Sequence, residues 1–166
     1  MLTQKTVRYL EVAVRISFFL CIYRATLECI IGTNDTKNMK GYIANMEKET
    51  LENEAYRKVL YTSYYSQLVI MALQPGEEIG EEVHGLDQFI RFEQGAGKVV
   101  LDGVEHSVED DYAVVIPAGT VHNVLNTGEE VMKLYSIYSP PEHKHGTVHA
   151  TKGDEKEEHF DGVVSE

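Results

Sequence analysis

Residues 76–95 read GEEIGEEVHGLDQFIRFEQG, and the fold turns on how this stretch is understood. It opens at Pro75-Gly76 and closes at Gly95-Ala96-Gly97, both turn signals. Side chains alternate across a strand with period two. Glu82, His84 and Gln88 are all even-numbered, so an unbroken strand puts them on one face, continued by Ile90 and Phe92. Asp87, Arg91 and Glu93 then point to solvent. A Glu, a His and an amide beside an apolar wall are costly to bury unpaired, and a metal ion is one way to satisfy them. His122, after the Pro117-Ala118-Gly119 turn at the start of another strand, is a fourth candidate.

The chain on either side is a succession of short strands. Gln67–Leu73 is apolar and ends at Pro75-Gly76, and Gln88–Glu93 runs into the glycine turn. Lys98–Leu101 and Val104–Val108 flank Asp102-Gly103, the preferred pair for a two-residue type I′ hairpin. Tyr112–Ile116, Val121–Leu125 and Val131–Tyr138 follow, separated by further turns. Turns this frequent with no long helix between them predict an all-β sandwich or barrel. The charged run 47–58 reads as a short solvated helix or an irregular lead-in. Taken singly, a His or Glu on a strand is more often structural, and a metal-free polar pocket is the alternative to a metal site. The spacing of all four residues together favours the metal.

That spacing resembles the cupin family. Gly76-(x5)-Glu82-x-His84-(x3)-Gln88-(x6)-Gly95 is similar to the first cupin motif, G(x5)HxH(x3–4)E(x6)G. Pro117-x-Gly119-(x2)-His122-(x3)-Asn126 is similar to the second, and the match covers about residues 67–138. The resemblance implies a small double-stranded β-helix, a jelly-roll-like barrel of the mannose-6-phosphate-isomerase-like kind. It also implies one divalent transition metal (Fe, Mn, Ni, Zn or Co) held by Glu82, His84, Gln88 and His122. The departures matter: Glu82 replaces the family's first His, Gln88 replaces its Glu, and Asp111 stands where the second motif has Gly. Gln is a weak oxygen donor, so Gln88 is the least secure ligand. Asn126 is expected to form a turn rather than to ligate.

A metal with open positions in a barrel supports isomerase-, hydrolase- or dioxygenase-type chemistry, and fold does not choose among them. The expected function is a metal-binding small cupin acting, as an isomerase- or dioxygenase-type enzyme, on a small polar molecule. The alternative is a non-catalytic metal- or ligand-binding module. No catalytic residue beyond the ligands is assigned. Tyr112, Tyr135 and Tyr138 are hydroxyl candidates, with Tyr135 the first to test. The bases of the matched region, Arg91, Lys98 and Lys133, make a poor phosphate clamp.

Composition bounds the partners. The 166 residues carry 27 acidic and 15 basic side chains, a net charge of -12, which argues against nucleic acid and anionic membranes. The charge is uneven: residues 1–38 hold five basic and three acidic groups, +2, leaving -14 for the rest. This apolar extension, expected to be helical, has no charge-free stretch longer than Ile16–Tyr23, too short for a membrane span. Cys21 and Cys29 do not have metal or redox spacing. The division is therefore 1–38 extension, 39–140 cupin barrel and 141–166 polar tail. The tail is expected to be partly disordered near its end, with His143, His145 and His149 solvated rather than a second metal site. A homodimer in the cytoplasm with a small-molecule ligand completes the expectation.

Overall fold

The computed structural model describes residues 41–156 and 158–165. The extension 1–38, its expected helix and both cysteines lie outside the described residues. The first described element is a short helix, α1 (Met46–Leu51). Asn45 caps it by accepting from the Lys48 backbone N–H at 3.1 Å. Glu47 and Glu49 stand in its first turn, where the helix dipole favours negative charge.

Among the described residues nine strands follow: β1 (Arg57–Thr62), β2 (Gln67–Leu73), β3 (Asp87–Gln94), β4 (Gly97–Leu101), β5 (Val104–Val108), β6 (Ala113–Ile116), β7 (His122–Leu125), β8 (Met132–Ser139) and β9 (Val148–His149). They pair antiparallel in two sheets, ordered β6-β3-β8-β2-β1-β9 and β5-β4-β7. The all-β, two-sheet barrel expected from the sequence is the architecture present. The core lies between the sheets. Alternate residues of β2, β3 and β8 (Val69, Met71, Leu73, Ile90, Phe92, Leu134) meet Val99 of β4 and Val124 of β7, all buried. Each such side chain contributes about 1.5–3 kcal/mol by leaving water.

Two turns carry the closure of the barrel. Asp102 and Gly103 both have positive φ, 47° and 80°, as a type I′ hairpin demands, and they join β4 to β5 in register. Asp111 also has positive φ, 69°, at the position where the second motif has Gly. Asp is one of the few residues with a side chain that tolerates this region, so the departure is conformationally compatible. At Gly97 the backbone of β7 comes so close that a Cβ would stand 2.1 Å from the Leu125 carbonyl oxygen.

Two expectations need correction. β1 reads in the sequence as the end of a charged run, yet Arg57 pairs with Met71 and its side chain is buried. The polar tail is also built into the sheet rather than loose. β9 pairs with β1 (Arg57↔His149), His143 bridges to His159, and Ser165 N–H donates to Thr62 O at 2.9 Å. The buried Gln67 amide clamps the tail's entry, donating to His143 O at 2.6 Å and accepting from His143 N–H at 2.8 Å. Backbone pairing orders a segment that composition alone would leave solvated. No helix among the described residues is long and apolar enough to cross a membrane.

Candidate metal centre

The segment ahead of β3 brings the two motifs together. Residues 76–84 run antiparallel along β7: Gly76 N–H donates to Asn126 O, Ile79 N–H to Val124 O, and Glu82 and His122 exchange both backbone bonds at 2.9 and 3.0 Å. Directly opposed residues of an antiparallel pair present their side chains on the same face. Glu82 and His122 therefore meet by register. His84 lies two residues beyond Glu82 and joins them by alternation. The expected single strand from Glu82 to Gln88 is broken at Gly85-Leu86, where the chain passes from the small sheet to the large one. Gln88 faces the interior from β3, on the other sheet.

One ligand atom from each of Glu82, His84 and His122 falls within 4.8 Å of the others, the cluster of metal-ligating groups among the described residues. His84 Nε2 is 3.2 Å from Glu82 Oε2, and His122 Nε2 is 4.0 Å from the same oxygen. Donor atoms around an ion with bonds near 2.1 Å stand roughly 3 Å apart, so the triangle is close to coordination size. His122 is buried, and its Nδ1–H donates to Thr120 O at 2.9 Å. That bond puts the lone pair on Nε2, which is buried and has no hydrogen-bond partner. Gln88 repeats the pattern. Ser136 Oγ–H donates to Phe89 O at 3.1 Å, so Ser136 must accept from Gln88 Nε2, and the Gln88 amide oxygen is left buried and unbonded. Burial pushes the Glu82 carboxyl up, but the hydrogen bond to His84 and the charges of His84, Arg57 and His122 hold it below its ordinary value. It is a carboxylate at neutral pH.

The centre opens on a cleft of about 490 Å³ whose lining includes Arg57, Glu82 and His84 and, from the tail, Glu142, His143 and Glu155. This size suits a small molecule. A larger groove of about 720 Å³ follows the tail over residues 144–158 without any such donor cluster. Tyr138 packs edge-on between the rings of His84 and His143, at centroid distances of 5.8 and 4.9 Å. Burial pushes its phenol above the ordinary value, so it is a hydroxyl rather than a base. Tyr135, one residue out of phase, packs on Phe89 away from the centre. Lys133 is likewise no anion clamp, because its buried ammonium donates to Asn53 O and to Glu54 Oε1 at 2.9 Å, tying the end of α1 to β8. His143 and His149 are buried, which corrects the expectation of a solvated cluster. Burial, reinforced by the nearby Arg57 guanidinium, lowers His143 to about 3. Asn126 forms a turn as expected, bonding Leu73 O, Glu130 O and Gly128 N–H.

A cupin-domain family model matches residues 69–138. The crystal structure of BH2720 from Bacillus halodurans superposes with a TM-score of 0.68 at 48% identity, covering 69% of this chain and 92% of that one. The chain belongs to the cupin family. The Bacillus subtilis relative, the uncharacterised protein YrkC, is 46% identical over 122 residues, and this cupin spans 66% of that relative's length and 69% of its own. An uncharacterised mimivirus protein of Acanthamoeba polyphaga mimivirus, L612, is 42% identical over 113 residues, covering 64% of this cupin and 70% of the relative.

Sequence reasoning missed Arg57, Glu142, Glu155 and the burial of His143. Only β1 carries a hint of them, since Arg57 begins a run with alternating Val59 and Tyr61.

Proposed function

We propose that this cupin holds one divalent first-row metal on Glu82, His84 and His122, with Gln88 as a further oxygen donor, and acts on a small polar molecule in the cleft. The reading rests on His122: its Nε2 lone pair is buried, unpartnered and pointed by the Thr120 bond at the same place as Glu82 and His84. Leaving such an atom unsatisfied costs about 1–3 kcal/mol unless a ligand takes it. Two imidazoles and one carboxylate with open positions are the donor set of non-haem iron oxygenases, which supports dioxygenase-type chemistry over isomerisation in this reading. When bound, the ion supplies Lewis acidity and a place for an oxygen ligand. The chain's own residues do the rest. Thr120 O orients His122, Glu142 Oε2 stands 4.0 Å from His84 Nδ1, and the tail supplies Glu142, His143 and Glu155 to the cleft lining. Cytoplasmic location and a homodimer belong to the same proposal, the latter supported by exposed Val115 and Ile137 on the outer face of the large sheet.

The test is metal content. Full-length protein purified without chelator is expected to carry about one equivalent of metal per chain. The His84→Ala/His122→Ala variant should carry none while remaining folded. Full occupancy in the double variant would refute the centre, and oxygen uptake across a panel of small acids and sugars would then decide turnover. A sizing column run on the same material reads the dimer, which a monomeric mass would refute.

A further inference from the structure

Arg57 is a buried cation with more donors than partners. Its side chain is only 4% exposed, on β1 at the cleft wall. A guanidinium has five N–H donors in a fixed fork. Nη1 meets Glu155 Oε1 at 2.5 Å, Nη2 stands 3.9 Å from Glu82 Oε1, and Nε and Nη2 have no hydrogen-bond partner. A buried charge is normally held by a complete set of acceptors, because each unmade bond costs about 1–3 kcal/mol. Arg57 is the exception, and it lies beside the metal-ligating carboxylate.

Its one partner indicates what would complete it. Glu155 belongs to the tail, just past a single 3-10 turn (Lys152–Asp154), and its carboxylate meets the guanidinium directly in the lining of the cleft. The rest of the lining is acidic in balance, with Glu81, Glu82, Glu142 and Glu158 against one exposed cation, Lys156. A phosphate dianion would meet these carboxylates with Arg57 as the buried cation to offset them. A planar monocarboxylate matches the fork and replaces Glu155 charge for charge.

We propose that Arg57 anchors the carboxylate of a small organic-acid substrate, and that Glu155 holds that position until the substrate displaces it. The inference rests on the cleft being the functional site, and it gives the proposed chemistry a substrate class: small carboxylic acids rather than neutral sugars or phosphosugars. Arg57 orients the acid, while the metal ligands on the small sheet face its reacting end.

The experiment uses the full-length protein, metal-loaded and chelator-stripped, titrated by calorimetry with pyruvate and with pyruvamide. The amide keeps both carbonyl oxygens but has an NH2 donor in place of the second carboxylate oxygen, so it loses the charge and one of the two acceptors that the fork would meet. Loaded wild type is expected to prefer pyruvate by about tenfold or more, the worth of a charge-assisted pair. Arg57→Met should reduce the preference to within about twofold at unchanged metal content. Arg57→Lys, which keeps the charge and loses the fork, should fall between and serves if the Met variant does not fold. Glu155→Gln, which removes the competing charge and keeps an acceptor, should bind pyruvate several-fold tighter. An undiminished preference in both Arg57 variants, or weaker pyruvate binding by Glu155→Gln, would overturn the proposal. Wild type that purifies without metal would refute the metal centre alone, since the stripped-protein titrations still read Arg57.

Discussion

Gly97→Ala joins the stability of the barrel to the geometry of the metal centre. The added Cβ would stand 2.1 Å from the Leu125 carbonyl oxygen, 3.1 Å from the Leu125 carbonyl carbon and 2.5 Å from Met132 Cε. The methionine tip can swing aside, but the carbonyl is backbone of β7. A carbon and a carbonyl oxygen ordinarily approach no closer than about 3.3 Å, so β4 and β7 must separate by about 1 Å at this point. The strands are joined from Lys98↔Leu125 to Leu101↔His122, with Val99 and Val124 packed between the sheets. Overpacking costs typically 1–3 kcal/mol, and a clash with backbone belongs at the upper end. We expect a loss of about 3 kcal/mol, or roughly 10 °C in Tm for a domain of this size. Because β7 carries His122, metal retention should fall as well. The assay is thermal and guanidinium unfolding of metal-free protein, with metal content measured alongside. Gly85→Ala, with nothing within 4 Å of its Cβ, is the control and should sit near wild type. A Gly97→Ala loss under about 1 kcal/mol would refute the close-approach argument.

Two further outcomes follow from buried or strained positions. His143, held near pKa 3 by burial and the Arg57 charge, titrates near 6.5 when unfolded. Between those values the unfolded chain binds the extra proton, so this group's stability is full above pH 6.5 and is lost as pH falls toward 3, by up to about 1.4 kcal/mol per pH unit. His143→Phe keeps the edge-on contact with Tyr138 and should flatten the pH 7 to 4.5 denaturation profile of metal-free protein; identical slopes would count against the assignment. At Asp111, Gly should cost little. It gives up an ion pair to Arg91 whose Asp111 end is largely exposed, and it relieves the positive φ. Asp111→Ala should cost about 1 kcal/mol more than Asp111→Gly, and the reverse order in chemical denaturation would be incompatible with the left-handed backbone.

The sequence made the barrel legible because its turns are chemically explicit. Asp102-Gly103 and Pro117-Ala118-Gly119 punctuate strands whose apolar residues recur with period two, and β2 through β8 fall within a residue or two of their expected positions. The meeting of Glu82, His84 and His122 was legible because backbone register converts spacing into proximity: Glu82 pairs with His122, and His84 follows by alternation. Gln88 was placed on the right face but the wrong sheet, since the crossing at Gly85-Leu86 leaves no signature in hydrophobic period. Tyr135 and Tyr138 illustrate the limit of parity, because only the observed register tells which of two odd-and-even neighbours turns inward. Arg57 and Glu155 were out of reach altogether. They are 98 residues apart, and only the pairing of β9 with β1 brings their segments together.

The two-residue strand β9 has an evolutionary consequence. It lets residues beyond the barrel proper supply part of the cleft lining while the motif region and β1 supply the rest. Substitution of Glu155 would then retune what the cleft accepts while leaving Glu82, His84 and His122 in place. On that reading, the ligand preference of this cleft would be written in the C-terminal segment as much as in the two motifs.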